Sequence, residues 1–579
     1  MMMKTDILTI QRRNWLILLL ILLVTFIPFL GETLFNTKGE PREAIVALSM
    51  LQSGDWILPV SYGADIPYKP PFLAWCIAAF SALFGGHVTE FTSRLPSAIA
   101  CIAMVMAGFS LYTRESRGHG SGAVAVAAAF ITFTSFEVHR AAYACRVDML
   151  LTAFIVCSIY SLYRYYRFGH RVGWLLLSVL LMSCGVLTKG PVGMILPCLV
   201  IGVFRLTEGE RFFPALISMA AIGAASLFLP ALWYLAAYNQ GGREFLDLVM
   251  EENFGRFLGK MSYSSHANPV WYNFLTLIAG YLPYTLLLLL TLFSLRRGKS
   301  GKAGAPIVEW FKRQWRDFLS MRPITRMSLL AAVLIFLFYC FPESKRSVYL
   351  LPVYPFIAYF IAVYMRRMVV VGPRMVKLYC AIIAFLAMAA PMLFAAIRFG
   401  VLEGVGGGSL RRSVSGLMSV DVGVVGVLTL ALSFGAGLSL VVSLFRESAR
   451  NCFAWGVGTI VLIYWSFSSV YQPGVLNPKS DLPVARDIAC MVSPSDGIYT
   501  LVDDSMLRYY TINFYLADRL RRFDTELPSE GYLVVGRDDA DMLMSPYLGD
   551  YQFELLRNFS HKGCDVRQPI NFYRFALKK

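Results

Sequence analysis

Charged residues are scarce in this chain. Asp, Glu, Lys and Arg make up only 16% of its 579 residues, whereas 57% are hydrophobic. An ordinary soluble domain carries about 25% charged residues, so this scarcity excludes a soluble protein of this length. Long apolar runs recur from about Trp15 onward, and a membrane-crossing helix needs about 20 such residues. The sequence therefore predicts a polytopic α-helical membrane protein.

Paired cysteines are also lacking. The eleven cysteines are scattered and no C-x-x-C pair occurs. Most of them fall inside apolar segments, where buried thiols usually act as small hydrophobic groups. Only Cys490 and Cys564 fall in the polar C-terminal region, where a disulfide between them is one option. That region shows no nucleotide-binding glycine fingerprint, and the chain has no evident internal repeat.

Acidic residues are outnumbered by basic ones, which leaves a formal charge of +16. Because the cations lie mostly in short loops on alternate sides of the spans, they follow the positive-inside pattern. No stacking platform or basic helix face accompanies them, which excludes nucleic acid as a partner. Lys4, Arg12 and Arg13 precede the first apolar run, so the N-terminus is expected in the cytoplasm; a signal peptide is the alternative.

Hydropathy predicts about 13 crossings, and an odd number places the C-terminus outside the cytoplasmic (inner) membrane. The predicted transmembrane domain covers residues 1–471, and a soluble domain covers 472–579. The predicted external loops of the transmembrane domain are residues 31–90, 137–148, 239–270 and 343–347.

The C-terminal region reads as a small α/β unit, with a helix predicted over Ser505–Leu520. Its predicted strands are Gly497–Val502, Gly531–Val535, Phe553–Phe559 and Asn571–Ala576. Nothing in this composition identifies a role, so we expect the domain to cap the external face.

The first external loop carries the densest cluster of charge, Pro and Gly in the first 110 residues. Pro41 suits the first turn of a helix, and Glu40 and Glu43 suit the positive end of its dipole. Ser53-Gly54 ends the apolar run that follows, which is too short to span a bilayer and is expected to lie along the interface. Proline at 67, 70 and 71 stiffens the backbone around Lys69. An acid and a base are therefore predicted to face one cleft.

Four segments carry a family resemblance. They are Gly39-Glu40-Pro41-Arg42-Glu43-Ala44, Ser53-Gly54-Asp55-Trp56-Ile57-Leu58-Pro59, Tyr68-Lys69-Pro70-Pro71 and Ser93-Arg94-Leu95-Pro96-Ser97. This pattern resembles the membrane-embedded GT-C glycosyltransferases. It is most similar to the branch of aminoarabinose transferases and protein O-mannosyltransferases, which take sugars from polyprenyl phosphate donors. The resemblance implies the GT-C fold, with interfacial helices in the first external loop.

The chain departs from the family at two positions. The family usually places Asp first in the acidic pair of this loop, where this chain has Gly39, so the catalytic carboxylate is Glu40 or lies elsewhere. The aminoarabinose transferases also place a metal-binding Glu before the loop lysine, where this chain has Tyr68. No cofactor is firmly implied, and the need for a divalent metal is left open.

The resemblance assigns roles to the charges of the first loop. Glu40 is the candidate base or acceptor-orienting group, with Arg42 beside it on the same turn; Glu40 also suits a plain helix start. Lys69 is a candidate ligand of the donor phosphate, or else an interfacial lysine that extends toward water.

The later external loops supply further candidates. Arg146 and Asp148 stand where a hairpin enters a span, and Asp148 lines the catalytic cleft in the family; the two also have the option of pairing with each other. Lys189, in Thr188-Lys189-Gly190-Pro191, is either a second phosphate ligand or an extended interfacial lysine. Lys345 and Arg346 are candidate phosphate ligands. His266 precedes a span as the family's metal-binding His does, although a lone His is more often structural.

Positive charge on the outer side runs against the positive-inside bias, so these cations need an anionic partner, and a polyprenyl (undecaprenyl) phosphate meets that need. The leading hypothesis is a glycosyltransferase that moves its sugar to a lipid A-like, glycan or protein acceptor, in a chain expected to be monomeric. A lipid-linked sugar transporter or flippase is the alternative, and a receptor-like scaffold is the third. A transporter is expected to carry charges at mid-depth in paired broken helices.

Overall fold

The computed structural model describes residues 2–63, 65–67, 69–116, 122–251, 267–295, 307–402, 404, 407–502 and 509–578. A bundle of helices is followed by a small domain built around one sheet. The bounds of the twenty bundle helices in the described residues are α1 Met2–Phe26, α2 Pro41–Ser53, α3 Phe72–Leu83, α4 Glu90–Glu115, α5 Gly122–Thr134, α6 Phe136–Ala142, α7 Val147–Arg167, α8 Val172–Lys189, α9 Val192–Thr207, α10 Phe212–Ser226, α11 Phe228–Met250, α12 Trp271–Gly280, α13 Tyr284–Leu295, α14 Ile307–Leu319, α15 Pro323–Phe338, α16 Tyr354–Val371, α17 Pro373–Arg398, α18 Gly408–Ser419, α19 Gly423–Arg446 and α20 Ala449–Ser466.

The described residues contain seven helices long and apolar enough to cross a membrane, or eleven if each bent pair is one span. Helix α1 and the 16-residue α9 are not in that count. A polytopic helical membrane protein is thus confirmed, while the number of about 13 crossings stays a prediction. In four pairs of consecutive helices the chain bends sharply: 65° between α5 and α6, 41° between α10 and α11, 102° between α12 and α13, and 116° between α14 and α15.

Helix α7 lies at the centre of the bundle: 83% of the residues in its apolar stretch are buried, the highest share among the seven long apolar helices. Helices α8 and α9, which both neighbour α7, pack closely where Gly185 of α8 meets Gly193 of α9. A Cβ at Gly193 would overlap the backbone of Gly185. Small residues at such crossings let helices approach when apolar lipid offers no hydrophobic drive to bring them together. This packing brings the end of α8, with Lys189, beside the start of α7, with Asp148.

Two short helices form the first loop, as predicted. Helix α2 has Pro41 in its first turn, and Gly54 ends it in the left-handed conformation at φ 74°. Helix α3 has only 12 residues. Neither is long enough to span a bilayer, which agrees with the predicted interfacial placement.

The C-terminal domain is a five-stranded mixed sheet in the order β2-β1-β3-β5-β4. Strand β1 pairs in parallel with β2 and β3, whereas β3, β5 and β4 are antiparallel neighbours. The elements that follow α20 are a π-helical turn Phe467–Tyr471, α21 Gln472–Leu476, α22 Leu482–Met491, β1 Ile498–Thr500, α23 Tyr510–Tyr515, β2 Leu520–Arg522, α24 Phe523–Glu526, β3 Glu530–Gly536, α25 Ala540–Met544, β4 Tyr551–Lys562 and β5 Pro569–Leu577.

Two local predictions for this domain are wrong. The helix expected over Ser505–Leu520 ends too late: α23 ends at Tyr515, Ala517 and Asp518 adopt φ 55° and φ 60°, and Leu520 begins β2, while residues 505–508 lie outside the described residues. The option of a disulfide also fails, since Cys490 and Cys564 are both free thiols. Cys490 is exposed on α22, whereas the thiol of Cys564 lies 3.1 Å from an oxygen of Asp481.

The sheet domain shares a hydrophobic core with the first loop. One buried cluster joins Phe35, Ile45 and Ile77 from the loop to Val484 and Ile512 from the domain. Because apolar surface of both the first loop and the sheet domain is removed from water, the shared core favours one fixed placement of the domain against the loop. The domain therefore lies on the same end of the bundle as the first loop, which we call the site face.

Candidate functional site

Glu40 stands at the start of α2 in a buried ion pair with Arg94 of α4. The Arg94 Nε lies 2.9 Å from Glu40 Oε1, and Nη2 lies 3.1 Å from Oε2. The backbone N–H of Cys145 donates a third hydrogen bond of 2.9 Å to Oε1. Burial opposes ionisation, yet Arg94 and Cys145 together hold the pKa of Glu40 below its ordinary value. This carboxylate is a weak base that ties three segments together.

The motif Ser93-Arg94-Leu95-Pro96-Ser97 acquires a structural role here. Besides Glu40, the Arg94 guanidinium donates to the carbonyls of Leu30 and Thr33, which lie in the segment between α1 and α2. One turn later, Ser97 Oγ donates to the carbonyl of Ala144 at 2.7 Å. The first turns of α4 thus fix both the loop before α2 and the turn that precedes α7.

Glu43 lies one turn beyond Glu40 and pairs with Lys69 across the loop. Arg42 Nη2 lies 3.4 Å from the same Glu43 oxygen. Burial lowers the pKa of Lys69 to about 8, although the Glu43 carboxylate opposes the shift. Burial in turn opposes ionisation of Glu43, but Lys69 and Arg42 bring its pKa below the ordinary value. The predicted acid and base of the first loop therefore do meet, with Glu43 as the acid in contact.

Arg146 fills the space that Gly39 leaves open. A Cβ at position 39 would overlap the Arg146 guanidinium. Among the described residues this guanidinium forms no ion pair, yet its charge helps to lower the pKa of both Glu40 and Glu43. The chain thus has a cation where the family usually has the first carboxylate of its acidic pair.

Asp148 and Lys189 form a further ion pair of the cleft, with Lys189 Nζ 2.5 Å from Asp148 Oδ1. Asp148 is buried in the first turn of α7, and its charge also reaches Lys69. The Lys189 ammonium lies over the ring of Tyr349, 4.2 Å from its centroid, a favourable cation–π geometry. Asp148 pairs with Lys189 and not with Arg146, so the predicted alternative of an Arg146–Asp148 pair is wrong.

The loop of Lys345 and Arg346 adjoins the same cleft through Tyr349. Lys345 is 5% exposed and donates from Nζ to the carbonyl of Pro342 at 2.6 Å. Arg346 precedes the 3₁₀-helix Ser347–Val353 and is partly exposed. The structure thus brings Glu40, Arg42, Lys69, Arg146, Asp148 and Lys189 together, and places the Lys345 ammonium against a carbonyl beside them.

His266 and Tyr68, on which the question of a metal rests, lie outside the described residues. In the part of the chain that is described, no group of three or more His, Cys, Asp or Glu side chains is arranged to hold a metal ion. Predictions about the 239–270 loop accordingly rest on the sequence, apart from its ends. At one of these ends, Asn268 Nδ2 donates to the carbonyl of Lys345 at 3.2 Å.

Sequence reasoning assigned no site role to Arg94 or Arg140 and named Glu43 only as an acid at a helix start. Arg94 pairs with Glu40, and Glu43 pairs with Lys69. Arg140 is a half-exposed cation on α6 that donates hydrogen bonds of 2.6 and 3.0 Å to Glu137, and its charge interacts with that of Asp148. The available signal for Arg94 was a charge inside an apolar helix, which marks a functional site by default. For Arg140 it was an acid and a base three residues apart, which share one helix face.

A half-open pocket begins at the Glu43–Lys69 pair. Its walls include Met50, Ile57, Leu73 and Trp233, which are apolar, while the ion pair supplies its polar end.

The chain is similar in sequence to known membrane glycosyltransferases. Residues 68–234 match the family model described as dolichyl-phosphate-mannose-protein mannosyltransferase. The undecaprenyl phosphate-alpha-4-amino-4-deoxy-L-arabinose arabinosyl transferase of Pseudomonas savastanoi pv. phaseolicola is 28% identical over 351 residues, which is 59% of each chain. The transferase of that name from Pseudomonas aeruginosa is 28% identical over 305 residues, 52% of this chain and 53% of its own. The chain thus spans little more than half the length of these relatives.

The likeness in structure covers almost the whole chain. ArnT from Cupriavidus metallidurans, solved with bound undecaprenyl phosphate, superposes with a TM-score of 0.70 at 19% identity. The superposition covers 96% of this chain and 98% of that one. The protein therefore has the GT-C fold of the aminoarabinose transferases, with the small sheet domain included, as the sequence predicted.

Proposed function

We propose that this protein is an integral-membrane glycosyltransferase that takes a sugar from a polyprenyl phosphate donor. The observation that carries the proposal is the single cleft in which Lys69, Arg146 and Lys189 meet from three separate loops of the site face. Cations gathered from distant parts of a chain repel one another; the carboxylates of Glu43 and Asp148 offset part of this repulsion, and a bound anion would offset the rest. The resemblance to transferases, rather than to transporters, supports a catalytic role for that anion.

The reaction breaks the bond between the anomeric carbon and the phosphate oxygen of the donor. Negative charge builds on the departing phosphate as the bond breaks, and preorganised cations stabilise that charge most in a site from which water is excluded. Arg146 is the best-placed group for this step because none of the described residues pairs with it. Lys69 and Lys189 are each paired with a carboxylate, Glu43 and Asp148 respectively.

The pKa values of the carboxylates in the site indicate which class of acceptor the protein uses. A hydroxyl acceptor needs a base whose pKa lies near the working pH, whereas Glu40 and Glu43 have pKa values below their ordinary range. A phosphate oxygen is already ionised at neutral pH and attacks without a base. This chemistry favours a phosphorylated lipid such as lipid A over a glycan or protein hydroxyl.

The remaining roles follow from the contacts. Glu40 orients α2 through Arg94 and Cys145, Asp148 orients Lys189, and Lys345 and Arg346 are further candidate ligands of the donor phosphate. On this proposal the protein is a monomer of the cytoplasmic membrane, with its site face and sheet domain on the periplasmic or extracellular side.

In vitro transfer from a panel of polyprenyl phosphate sugars tests the proposal. We expect transfer by the intact chain, a loss of about 10²-fold or more in Lys69→Ala, and a smaller loss in Glu40→Gln, because glutamine keeps the hydrogen bond from Cys145. Lys562→Ala, which changes an exposed lysine of β4, is the matched control. The site assignment fails if Lys69→Ala transfers at the intact rate.

A further inference from the structure

The turn between α23 and β2 of the sheet domain contacts the helix that carries the first-loop charges. Asp518 stands in this turn at φ 60°, directly after Ala517 at φ 55°. Two consecutive non-glycine residues in the left-handed region are costly and persist only where surrounding contacts hold them. The contacts that hold them here come from Asn513 of the domain itself and from the first loop.

Asp518 accepts hydrogen bonds both from α2 and from the chain that follows α2. Its Oδ2 accepts from Ser49 Oγ of α2 at 3.0 Å, and its Oδ1 accepts from the backbone N–H of Tyr62 at 3.2 Å. Asn513, within the domain, donates to Oδ1 at 2.6 Å and fixes the carboxylate. Beside it, Gln52 Nε2 donates to the carbonyl of Ala517 at 3.2 Å.

A second set of contacts holds the chain just before α2. Tyr515 accepts from the backbone N–H of Phe35 at 3.1 Å and donates to Glu90 at the start of α4 at 2.6 Å. Asn477 accepts from the backbone N–H of Leu34 at 2.8 Å. The sheet domain therefore grips the segments on both sides of α2 as well as the helix itself.

Helix α2 is thus held at two places along its axis. Its first turn carries Glu40, Arg42 and Glu43, and Ser49 lies six residues beyond Glu43, about 9 Å further along a helix. A 13-residue helix behaves as a rigid rod, so releasing it near Ser49 changes the direction in which its first turn points.

We propose that Asp518 is a positioning residue, and that the sheet domain sets the placement of α2 so that its first-turn charges face Lys69 and the donor. This inference rests on the proposed function only for the measurement of sugar transfer, and not for the measurement of hydrogen–deuterium exchange. Misplacement of reacting groups by about 1 Å can cost about 10²-fold in rate, so small changes in this contact are measurable.

The hydrogen bonds around Asp518 allow the effect of its contacts to be distinguished from the effect of its negative charge. Both of its oxygens act as acceptors, but Ser49 Oγ also lies 3.0 Å from the carbonyl of Ile45 and can turn its proton that way. In Asp518→Asn the carbonyl oxygen keeps the bonds from Tyr62 and Asn513, while the amide N–H₂ donates to Ser49. The asparagine variant therefore preserves the contact without the charge, whereas alanine removes it.

The experiment compares Asp518→Ala, Asp518→Asn and a control, Asp541→Ala, in the full-length protein. Asp541 is an exposed aspartate on α25 of the same domain. Hydrogen–deuterium exchange of peptides covering 41–53 reports the hold on α2, and kinetics of sugar transfer report its consequence. Exchange of β3 and β5 shows whether the domain itself remains folded.

In Asp518→Ala we expect α2 to exchange at least tenfold faster. We also expect kcat to fall about tenfold, with KM for the donor nearly unchanged, because Arg146 and Lys189 do not depend on this turn. Asp518→Asn and Asp541→Ala are expected to match the intact chain. Unchanged exchange of α2 in Asp518→Ala overturns the inference, and so does faster exchange with an unchanged kcat. Should the intact protein transfer no sugar at all, the proposed function fails, while the exchange data still decide whether the turn holds α2.

Discussion

The pH dependence of donor binding provides a sharp test of Lys69. Burial lowers the pKa of this lysine from 10.5 to about 8, with Glu43 opposing the shift. A lysine is charged below its pKa, so about nine tenths of the protein carries the cation at pH 7 and about one tenth at pH 9. The donor is a phosphodiester and stays ionised throughout this range. We therefore expect the KM for the donor to be flat up to about pH 7.5 and to rise about tenfold per unit above pH 8.

The assay is steady-state transfer between pH 6.5 and 9.5 with the intact chain, Lys69→Arg and Lys562→Arg. Arginine remains charged across the whole range, so Lys69→Arg is expected to lose the alkaline rise, even if its larger side chain raises KM uniformly. Lys562→Arg is expected to retain the rise. A flat KM in the intact chain, or the same rise in Lys69→Arg, would refute the assignment of this lysine to the donor phosphate.

Three further changes follow from the geometry. Arg94→Ala leaves Glu40 buried without its partner and is expected to lower the free energy of unfolding by roughly 3–5 kcal/mol, measured by thermal unfolding in detergent; equal stability would contradict the buried pair. Gly39→Ala forces the Arg146 guanidinium to move and is expected to lower kcat, whereas Gly54→Ala, at an open position away from the cleft, costs stability but not kcat. Asp565, whose pKa burial raises from 3.8 to about 7, binds its proton more tightly in the folded domain, so its contribution to stability is present below pH 3.8 and lost as pH rises through 7. Asp565→Asn is expected to raise the free energy of unfolding more at pH 8 than at pH 5, by roughly 2–3 kcal/mol, because about two units of the shift fall between these pH values; an equal change at both pH values contradicts this.

The parts of the fold that the sequence predicts are those set by local chemistry. Pro41 at the start of α2 and Gly54 at its end are turn and cap signals that need no tertiary contact. Four strands of the sheet domain were found because each is a run of apolar or aromatic residues. Strand β2 was missed because it has three residues, two of them arginines.

The parts that could not be predicted depend on long-range contacts. Glu40 and Arg94 lie 54 residues apart, and Ser49 and Asp518 lie 469 apart, so no local pattern links them. The sharp bend of 102° between α12 and α13 was likewise hidden, since hydropathy reports apolar length and not direction. Family resemblance correctly brought Lys69, Asp148 and Lys189 into one cleft, but the partner of Lys69 emerged as Glu43 and the place of the absent Asp was taken by Arg146.

The central claim is that cations from separate loops hold the phosphate of one lipid-linked sugar. A cryo-EM structure of the intact protein with undecaprenyl phosphate tests it most directly. We expect the phosphate on the site face, within hydrogen-bonding distance, about 3 Å, of at least two of Lys69, Arg146 and Lys189. A phosphate bound elsewhere, for example beside Arg322 near the start of α15, with the cleft left empty, would contradict the account.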